Sequence, residues 1–487
     1  MAEETLDPDD WTAFRALSHR IVDEAVTYMQ TVRERAAWQS PPADVRARLR
    51  APLPVKGEGA ERTFEEFARS VLPYPTGNIH PRFWGWVIGT GTPFTALAEL
   101  LAATMNCNVG DFDDAASLVE DQVLAWLKEL MGFPADAGGL LVSGGSMANF
   151  VGLTVARDAK SGLDLPRLGV AAVPRPLTLY ASRETHSSVA KAVQILGLGR
   201  DALRLQPVDD AFEIDRRALA ESVATDRREG RQPFCVVANA GTVNTGANDP
   251  LDALADFCRA EGLWLHVDGA FGALAALAPG LRGRLRGLER ADSLAFDLHK
   301  WGYFPIEAGC VLVRDAAAQR RSFTVTADYL APAAGGIASR SHRLAEHGPQ
   351  LSRGFRALKI WMGLKEHGVE KLGRLVQQNV DQAAHLADRV RAHAELELLA
   401  PVPLNVVCFR YVGRPRVDEP DALNRRLLVQ LHEGGVAVPS HTIIRGAYAL
   451  RVAITNHRTR RADLDLLVGE VVRLGRGLRD VRRQKEA

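Results

Sequence analysis

Lys300 closely follows a short apolar segment, residues 293–296, that has the length and composition of a β-strand. Two aromatic residues, Trp301 and Tyr303, lie next to it. A lysine amine can form a Schiff base with a carbonyl compound, which makes such a residue a candidate for covalent catalysis. A surface ion pair is the ordinary alternative for an isolated lysine.

A carboxylate ends a second apolar segment, Trp264-Leu265-His266-Val267-Asp268. At the end of a strand, Asp268 could keep the ring nitrogen of a pyridine protonated, which makes the ring an electron sink. A helix cap or a contact with a hydroxyl group is the alternative.

A glycine-containing turn, Ser143-Gly144-Gly145-Ser146-Met147-Ala148-Asn149, links a predicted strand at 140–142 to a predicted helix. Free N–H groups at a helix start favour a phosphate, and glycines let its oxygens approach the backbone. A plain tight turn would look the same. The turn matches neither GxxxxGK[ST] nor GxGxxG.

A histidine, His186, opens a predicted helix in the segment 184–192. Its imidazole could lie flat on an aromatic cofactor, although a lone histidine can equally be a cap or a core residue. The four motifs occur within one α/β unit in the order Ser146, His186, Asp268, Lys300. Together they supply the groups that pyridoxal 5'-phosphate needs, and this cofactor is therefore predicted.

Alternating strands and helices must position these motifs. The strands are predicted at 140–142, 177–181, 234–238, 263–267, 293–296 and 310–313, and the helices at 115–131, 146–160, 186–196, 215–224 and 250–261. This alternation predicts a mostly parallel α/β sheet covered on both faces. Ligands of such sheets bind at the carboxyl ends of the strands, where the four motifs stand.

The flanking segments predict three regions. Residues 1–75 form an N-terminal helical arm, 76–370 the large cofactor-binding domain, and 371–487 a smaller C-terminal α/β domain. The arm has too little core to fold alone, so it must pack on another surface. Its second helix, near 63–71, has the capping pattern of Thr63 followed by Glu66.

The bulk properties are those of an ordinary globular enzyme. The chain has 487 residues, 46% hydrophobic and 24% charged, with a net charge of +1, so no binding to nucleic acid is indicated. The five cysteines form no CxxC pair, and no metal site is predicted. No apolar run reaches the roughly 18 to 20 residues of a membrane span, and the acidic start lacks the layout of a secretory signal. A cytoplasmic location without membrane attachment is therefore expected.

The sequence resembles the group II pyridoxal-phosphate decarboxylases, which include aromatic-amino-acid, glutamate, cysteine-sulfinate and diaminobutyrate decarboxylases. The resemblance covers nearly the whole chain. The motifs that carry it are His80-Pro81-Arg82-Phe83, the 143–149 turn, His186-Ser187-Ser188 with Lys191, Ala240-Gly241-Thr242, His266-Val267-Asp268, His299-Lys300-Trp301, Arg353-Gly354-Phe355-Arg356 and Asn456-His457-Arg458-Thr459.

This resemblance implies a type I aminotransferase-like fold and a homodimer with shared active sites, in which the arm wraps the other subunit. It implies that Lys300 carries the cofactor, that Asp268 contacts the pyridine nitrogen, and that His186 and Ala270 lie on opposite faces of the ring. The phosphate would be held by Gly145 and Ser146 with help from His299. Thr242 would lie near the cofactor, with its partner left open.

The implied reaction is decarboxylation of an L-amino acid to the amine and CO2. Tyr329 falls where the family keeps a tyrosine on a mobile loop, and it is the candidate acid that returns the proton. The substrate pocket would be lined by His80, Phe83, Trp84 and Trp86, with Phe112 entering from the partner subunit. These aromatic residues favour an aromatic substrate, whereas Arg82 leaves an acidic one open. A decarboxylating aldehyde synthase, or another activity of this cofactor on an acidic or diamino acid, is the alternative.

Overall fold

The computed structural model describes residues 3–325 and 333–486, with side chains as far as residue 479. The helices are α1 (Trp11–Gln30), α2 (Ala43–Arg48), α3 (Ala60–Ser70), α4 (Pro93–Met105), α5 (Ala115–Met131), α6 (Gly145–Ser161), α7 (Leu165–Leu168), α8 (Ser187–Ile195), α9 (Arg216–Arg228), α10 (Leu251–Glu261), α11 (Ala316–Phe323), α12 (Ala357–Arg391), α13 (Pro420–Glu433) and α14 (Arg461–Glu486). The strands are β1 (Phe83–Trp84), β2 (Gly138–Val142), β3 (Leu177–Ser182), β4 (Leu203–Gln206), β5 (Gln232–Asn239), β6 (Trp264–Asp268), β7 (Ser293–Asp297), β8 (Gly309–Val313), β9 (Leu396–Leu398), β10 (Val406–Tyr411), β11 (Val438–Ile444) and β12 (Ala447–Ala453).

The large sheet has seven strands in the order β2-β8-β7-β6-β5-β3-β4. β3, β4, β5, β6 and β7 pair in parallel, whereas β8 runs antiparallel to both of its neighbours. The predicted mostly parallel α/β fold is confirmed. The strands β2, β3, β5, β6, β7 and β8 match the six predicted ones. β4 was not predicted, because its sequence, Leu-Arg-Leu-Gln, alternates apolar and polar residues and the strand lies at the edge of the sheet.

A second sheet has five strands in the order β1-β11-β12-β10-β9. β1 pairs with β11 in parallel, and the other pairs are antiparallel. β1 precedes the whole large sheet in sequence, and yet it forms the edge of this smaller one. The chain near residue 83 therefore bridges the two α/β units.

α12 connects the two cores. It changes direction at Gly368, whose φ of 69° lies in the left-handed region that glycine adopts without strain. Its earlier turns pack on the large core through Ile360, Leu372 and Val376, and its last turns pack on the small core through Leu386 and Val390. The division proposed at residue 370 falls just after this kink.

The first helix of the N-terminal arm, α1, is largely exposed in the single chain. Leu17 is the one residue of α1 that is buried, whereas Trp11, Phe14 and Ile21 on the same helix are exposed. The capping pattern expected for α3 is wrong: the helix begins earlier, after Gly59, and the Thr63 hydroxyl donates to the Gly59 carbonyl. Among the described helices, none is long and apolar enough to cross a membrane.

Candidate active site

A cavity of about 310 Å³ opens at the carboxyl ends of β5 and β6 and at the loop after β7. Five residues singled out from the sequence line it: Trp86, His186, Asp268, Ala270 and Lys300. The small domain contributes Ser440, His441 and Arg451, and Trp86 comes from the segment that follows β1. The cavity therefore lies between the two α/β units.

Lys300 makes an ion pair inside the protein. Its Nζ lies 2.8 Å from Oδ2 of Asp297, whose side chain is almost fully buried. The other oxygen, Oδ1 of Asp297, is buried and has no hydrogen-bond partner among the described residues. The alternative of a surface salt bridge is therefore wrong: Lys300 pairs with a buried carboxylate and lines the cavity.

Asp268 ends β6 with both carboxylate oxygens fixed. Oδ2 accepts a hydrogen bond from Nδ2 of Asn149 at 2.9 Å, and Oδ1 accepts one from the backbone N–H of Ala270 at 3.1 Å. Because the side chain is buried and accepts from two donors, its orientation is set before any ligand binds.

His186 is the N-cap of α8. Its Nδ1 accepts the backbone N–H of Ser188 at 3.2 Å and lies 2.8 Å from the Ser188 hydroxyl. Burial lowers the pKa of His186, so the imidazole is neutral at neutral pH. His186 therefore has the capping role that the sequence left open, and the same imidazole ring also lines the cavity.

The 143–149 turn has the features of an anion cradle. α6 begins without a side-chain cap, so the N–H groups at its start are open. A Cβ on Gly145 would lie 2.8 Å from Oδ2 of Asp297, and one on Gly309 would lie 2.5 Å from Cα of Gly144. Glycine is therefore needed for this turn to approach β7 and β8. Ser146, in the first turn of α6, is exposed.

His299 lies beside the cradle. Its Nδ1 accepts the backbone N–H of Ala308 at 3.0 Å, which leaves the ring proton on Nε2. A Cβ on Gly144 would lie 3.2 Å from Cε1 of the His299 ring, so the Nε2 side of the ring faces the turn. Open backbone N–H groups, an imidazole donor, a lysine and a fixed carboxylate fit the phosphate, the aldehyde and the ring nitrogen of pyridoxal phosphate.

Several predicted site residues lie elsewhere. The Thr242 hydroxyl is buried within its own turn, 3.0 Å from the Thr245 hydroxyl, while its neighbours Gly241 and Val243 line the cavity. Phe83 packs with Ala37 and Val438 because β1 belongs to the small sheet.

Two more pocket predictions need the same correction. Trp84 is buried in the small core and donates from Nε1 to the Thr459 hydroxyl. His80 is buried, and its Nδ1 accepts the Arg82 N–H. Phe112 is half-buried, and its entry into the partner subunit's cavity stays a prediction. Tyr329 lies outside the described residues.

Arg451 was missed by the sequence reasoning. It is buried on β12 and donates to the backbone carbonyls of Trp86, Val243 and Asn244 and to the Ser440 hydroxyl. Burial lowers the pKa of Arg451 to about 10. Its role could have been suspected from the sequence, because Arg451 is a single charge in the apolar segment Ala449-Leu450-Arg451-Val452. A charge in a buried strand needs hydrogen-bond partners.

The chain is similar to proteins of known function. The profile described as "Pyridoxal-dependent decarboxylase conserved domain" matches residues 42–412. The chain belongs to this family. It is an enzyme, a pyridoxal-phosphate-dependent amino acid decarboxylase.

Relatives of this decarboxylase act on different substrates, judging by their names. An aromatic-L-amino-acid decarboxylase of Bacillus atrophaeus is 33% identical over 454 residues, which cover 91% of this chain and 92% of that protein. An L-2,4-diaminobutyrate decarboxylase of Rhizobium meliloti is 32% identical over 410 residues, covering 84% of this chain and 80% of that protein. A crystal structure of Oryza sativa TDC with PLP and tryptamine superposes with a TM-score of 0.89 at 28% identity and covers 97% of this chain and 100% of that one. The predicted family, fold and cofactor are confirmed.

The bound cofactor withdraws electrons into its ring when the carboxyl group of an amino acid leaves as CO2. In the described part of the chain, no cluster of three or more His, Cys, Asp or Glu side chains is arranged to bind a metal ion.

Proposed function

We propose that this decarboxylase converts an aromatic L-amino acid to its amine and CO2, with Lys300 as the lysine that holds the cofactor. The Trp86 ring carries the substrate assignment: it is 56% exposed and lines the cavity that contains Lys300. An aromatic ring at this wall offers stacking and apolar burial to an aromatic side chain.

The charges of the cavity support the same substrate class. An acidic substrate needs a cation whose donors are available for its side chain. Arg451 makes four hydrogen bonds within the protein, which leaves one of the five guanidinium N–H groups. Arg82 is directed elsewhere, since its Nε donates to the Val436 carbonyl.

In this proposal the chain's own groups divide the work. Lys300, which pairs with Asp297, would hold the aldehyde group of the cofactor. Asp268 would hold the protonated ring nitrogen. His186 and Ala270 would lie on opposite faces of the ring, and Gly145, Ser146 and His299 would hold the phosphate. Holding the scissile bond perpendicular to the ring would select loss of CO2, an orientation effect.

The experiment is a substrate panel with the holoenzyme, measuring CO2 and amine for the twenty amino acids, dihydroxyphenylalanine, cysteine sulfinate and diaminobutyrate. The highest kcat/KM is expected for an aromatic amino acid. Trp86→Leu should raise the KM for that substrate about 10-fold through the lost aromatic contact.

Trp361→Leu is the matched control, because Trp361 on α12 lies outside the cavity. It should leave the KM near the wild-type value. A preference for glutamate, cysteine sulfinate or diaminobutyrate, or equal KM changes in the two variants, would contradict the substrate assignment. Aldehyde and ammonia in place of amine would instead show an aldehyde synthase.

We also propose a homodimer in which the arm packs on the partner subunit. Apolar side chains are exposed on three helices near the start of the chain: Trp11, Phe14, Ile21 and Val26 on α1, Phe67 on α3, and Phe94, Leu97, Leu100, Leu101 and Met105 on α4. Exposed apolar side chains in this number are typical of a surface that is covered in an oligomer. Leu100→Asp should yield monomers in sedimentation velocity, whereas Val429→Asp, at a similarly exposed position on α13, should stay dimeric. Monomeric wild-type protein would contradict this.

The cytoplasmic location also stays a proposal. The five cysteines are all free, and four of them are buried, which fits a reducing compartment. Cell fractionation tests it, and recovery of the protein outside the cytoplasm would contradict it.

A further inference from the structure

Asn149 lies at the centre of a buried set of hydrogen bonds beneath the cavity. From α6, its amide nitrogen Nδ2 donates to Oδ2 of Asp268 at 2.9 Å and to the Ser188 hydroxyl at 3.0 Å. Its Oδ1 lies 2.9 Å from Nε2 of His266. The sequence reasoning gave Asn149 no role of its own.

The chain of bonds continues away from the cavity. Nδ1 of His266 lies 2.7 Å from the Ser293 hydroxyl, which also accepts the indole N–H of Trp264 at 2.8 Å. His266 and Ser293 are fully buried. A Cβ on Gly152 would lie 2.6 Å from the His266 ring, so glycine at this position of α6 leaves the space that the imidazole fills.

Each bond in this chain has one possible direction. The Asp268 carboxylate can only accept, so Asn149 turns its NH2 group toward Asp268 and Ser188 and its Oδ1 toward Nε2 of His266. Because Oδ1 can only accept, the proton of His266 is on Nε2. His266 is neutral, since burial lowers its pKa to about 3, so its Nδ1 accepts from the Ser293 hydroxyl, which itself accepts the indole N–H of Trp264.

The last link reaches His186. The Ser188 hydroxyl accepts a hydrogen bond from Nδ2 of Asn149 and donates one to Nδ1 of His186. Nδ1 of His186 also accepts the Ser188 backbone N–H. Nδ1 is thus an acceptor, and the proton of the neutral His186 ring must be on Nε2. The Nε2–H group of His186 lies outside this set of hydrogen bonds.

We infer that Asn149, oriented by His266, is a positioning residue that fixes the Asp268 carboxylate and, through the Ser188 hydroxyl, reinforces the tautomer of His186 that the Ser188 backbone N–H also favours. One amide group thus binds both the residue expected at the ring nitrogen and the serine that holds the residue expected over the ring face. This inference rests on the proposed roles of Asp268 and His186. It adds that the two roles are coupled through one side chain that does not line the cavity.

Asn149→Leu separates hydrogen bonding from shape, because leucine has a similar size but cannot donate to Asp268 or Ser188. We expect cofactor affinity, measured by titrating pyridoxal phosphate into the cofactor-free protein, to fall about 10- to 100-fold, the range for loss of a hydrogen bond to a charged group. The absorption spectrum of the bound cofactor should also change. His266→Gln keeps a neutral donor for Asn149 and should retain most of the affinity, whereas His266→Leu should not.

Asn424→Leu is the matched control. Asn424 is equally buried, and its amide group likewise makes three hydrogen bonds, but it lies on α13 of the small domain. The variant should lower the melting temperature without changing the cofactor spectrum or affinity. Equal losses of cofactor affinity in the Asn149 and Asn424 variants, or none in Asn149→Leu, would overturn the inference.

A second measurement does not depend on the cofactor. In cofactor-free protein labelled with ¹⁵N-histidine, the ring-nitrogen shifts of His186 and His266 should both show the proton on Nε2. A proton on Nδ1 of either ring would refute the chain of bonds. If these shifts are as expected but Lys300→Ala leaves the cofactor spectrum unchanged, the proposed role of Lys300 fails while this inference stands.

Discussion

Glu120→Gln is predicted to be the most informative change outside the cavity. Glu120 on α5 forms an ion pair with Arg353, and both side chains are fully buried. The same two side chains bind both backbone groups of Leu141: its N–H donates to Oε1 of Glu120 at 3.3 Å, and its carbonyl accepts from Arg353 at 2.8 Å. Because β2 is the edge strand of the large sheet, this pair takes the place of a neighbouring strand just before the 143–149 turn.

The expected loss follows from charge. Glutamine keeps the shape of Glu120 but leaves Arg353 buried without a counter-charge, which typically costs about 3–5 kcal/mol. For a unit of roughly 300 residues, that corresponds to a fall in melting temperature of about 5–8 °C. Glu221→Gln, which breaks the exposed pair with Arg217, should cost about 0.5 kcal/mol or less.

The assay is thermal unfolding of the holoenzyme and of the cofactor-free protein, with cofactor affinity measured in parallel. Because the pair holds the strand that leads into the turn, Glu120→Gln should also weaken cofactor binding. Equal shifts in the two variants, or a fall below about 1 °C for Glu120→Gln, would refute the reasoning, because the burial of the pair would then have no energetic consequence.

Further predictions concern the site and its pH dependence. Lys300→Ala should abolish the absorption band of the lysine-linked cofactor, and an unchanged spectrum would assign that linkage elsewhere. Tyr329→Phe should keep cofactor binding but lose amine formation and divert product to aldehyde; unchanged amine output in product analysis would remove Tyr329 from the mechanism. Asp297→Asn should speed cofactor capture in stopped-flow absorbance, because the Lys300 amine is released from its ion pair with Asp297, and slower capture would contradict this. Burial lowers the pKa of His347 to about 4, so it stabilises the fold fully above the unfolded pKa of about 6.5 and less as pH falls toward 4. His347→Gln should therefore flatten the fall in melting temperature between pH 7 and pH 4.5, and an unchanged slope would contradict it.

The sequence was sufficient for the parts of the site that come directly after buried strands. Asp268 and Lys300 could be placed because each comes at or just after the end of an apolar run, and parallel strands bring the residues at their carboxyl ends to one edge of the sheet. His186 could be placed by the same logic at the end of β3. The six matched strands were predictable because fully buried strands are continuously apolar.

The pocket wall could not be derived in this way. Phe83, Trp84 and Trp86 look alike in sequence, but β1 pairs with β11, whose residues lie far along the chain. That pairing buries Phe83 and Trp84, and the chain then turns so that Trp86 lines the cavity. Arg451 and His441 could not be placed for the same reason. They belong to the small sheet and reach the cavity through packing of the two α/β units.

The Trp86 backbone shows how these contacts cooperate. Its φ of 54° is in the left-handed region, which costs a non-glycine residue about 1–2 kcal/mol. Arg451 donates to the Trp86 carbonyl at 2.9 Å and to the carbonyls of Val243 and Asn244, in the loop after β5. The buried Arg451 side chain thus links the Trp86 backbone to the large-domain loop that carries Val243 and Asn244. A change at Arg451 should therefore alter substrate selectivity as well as stability, because the ring proposed to meet the substrate would lose its support.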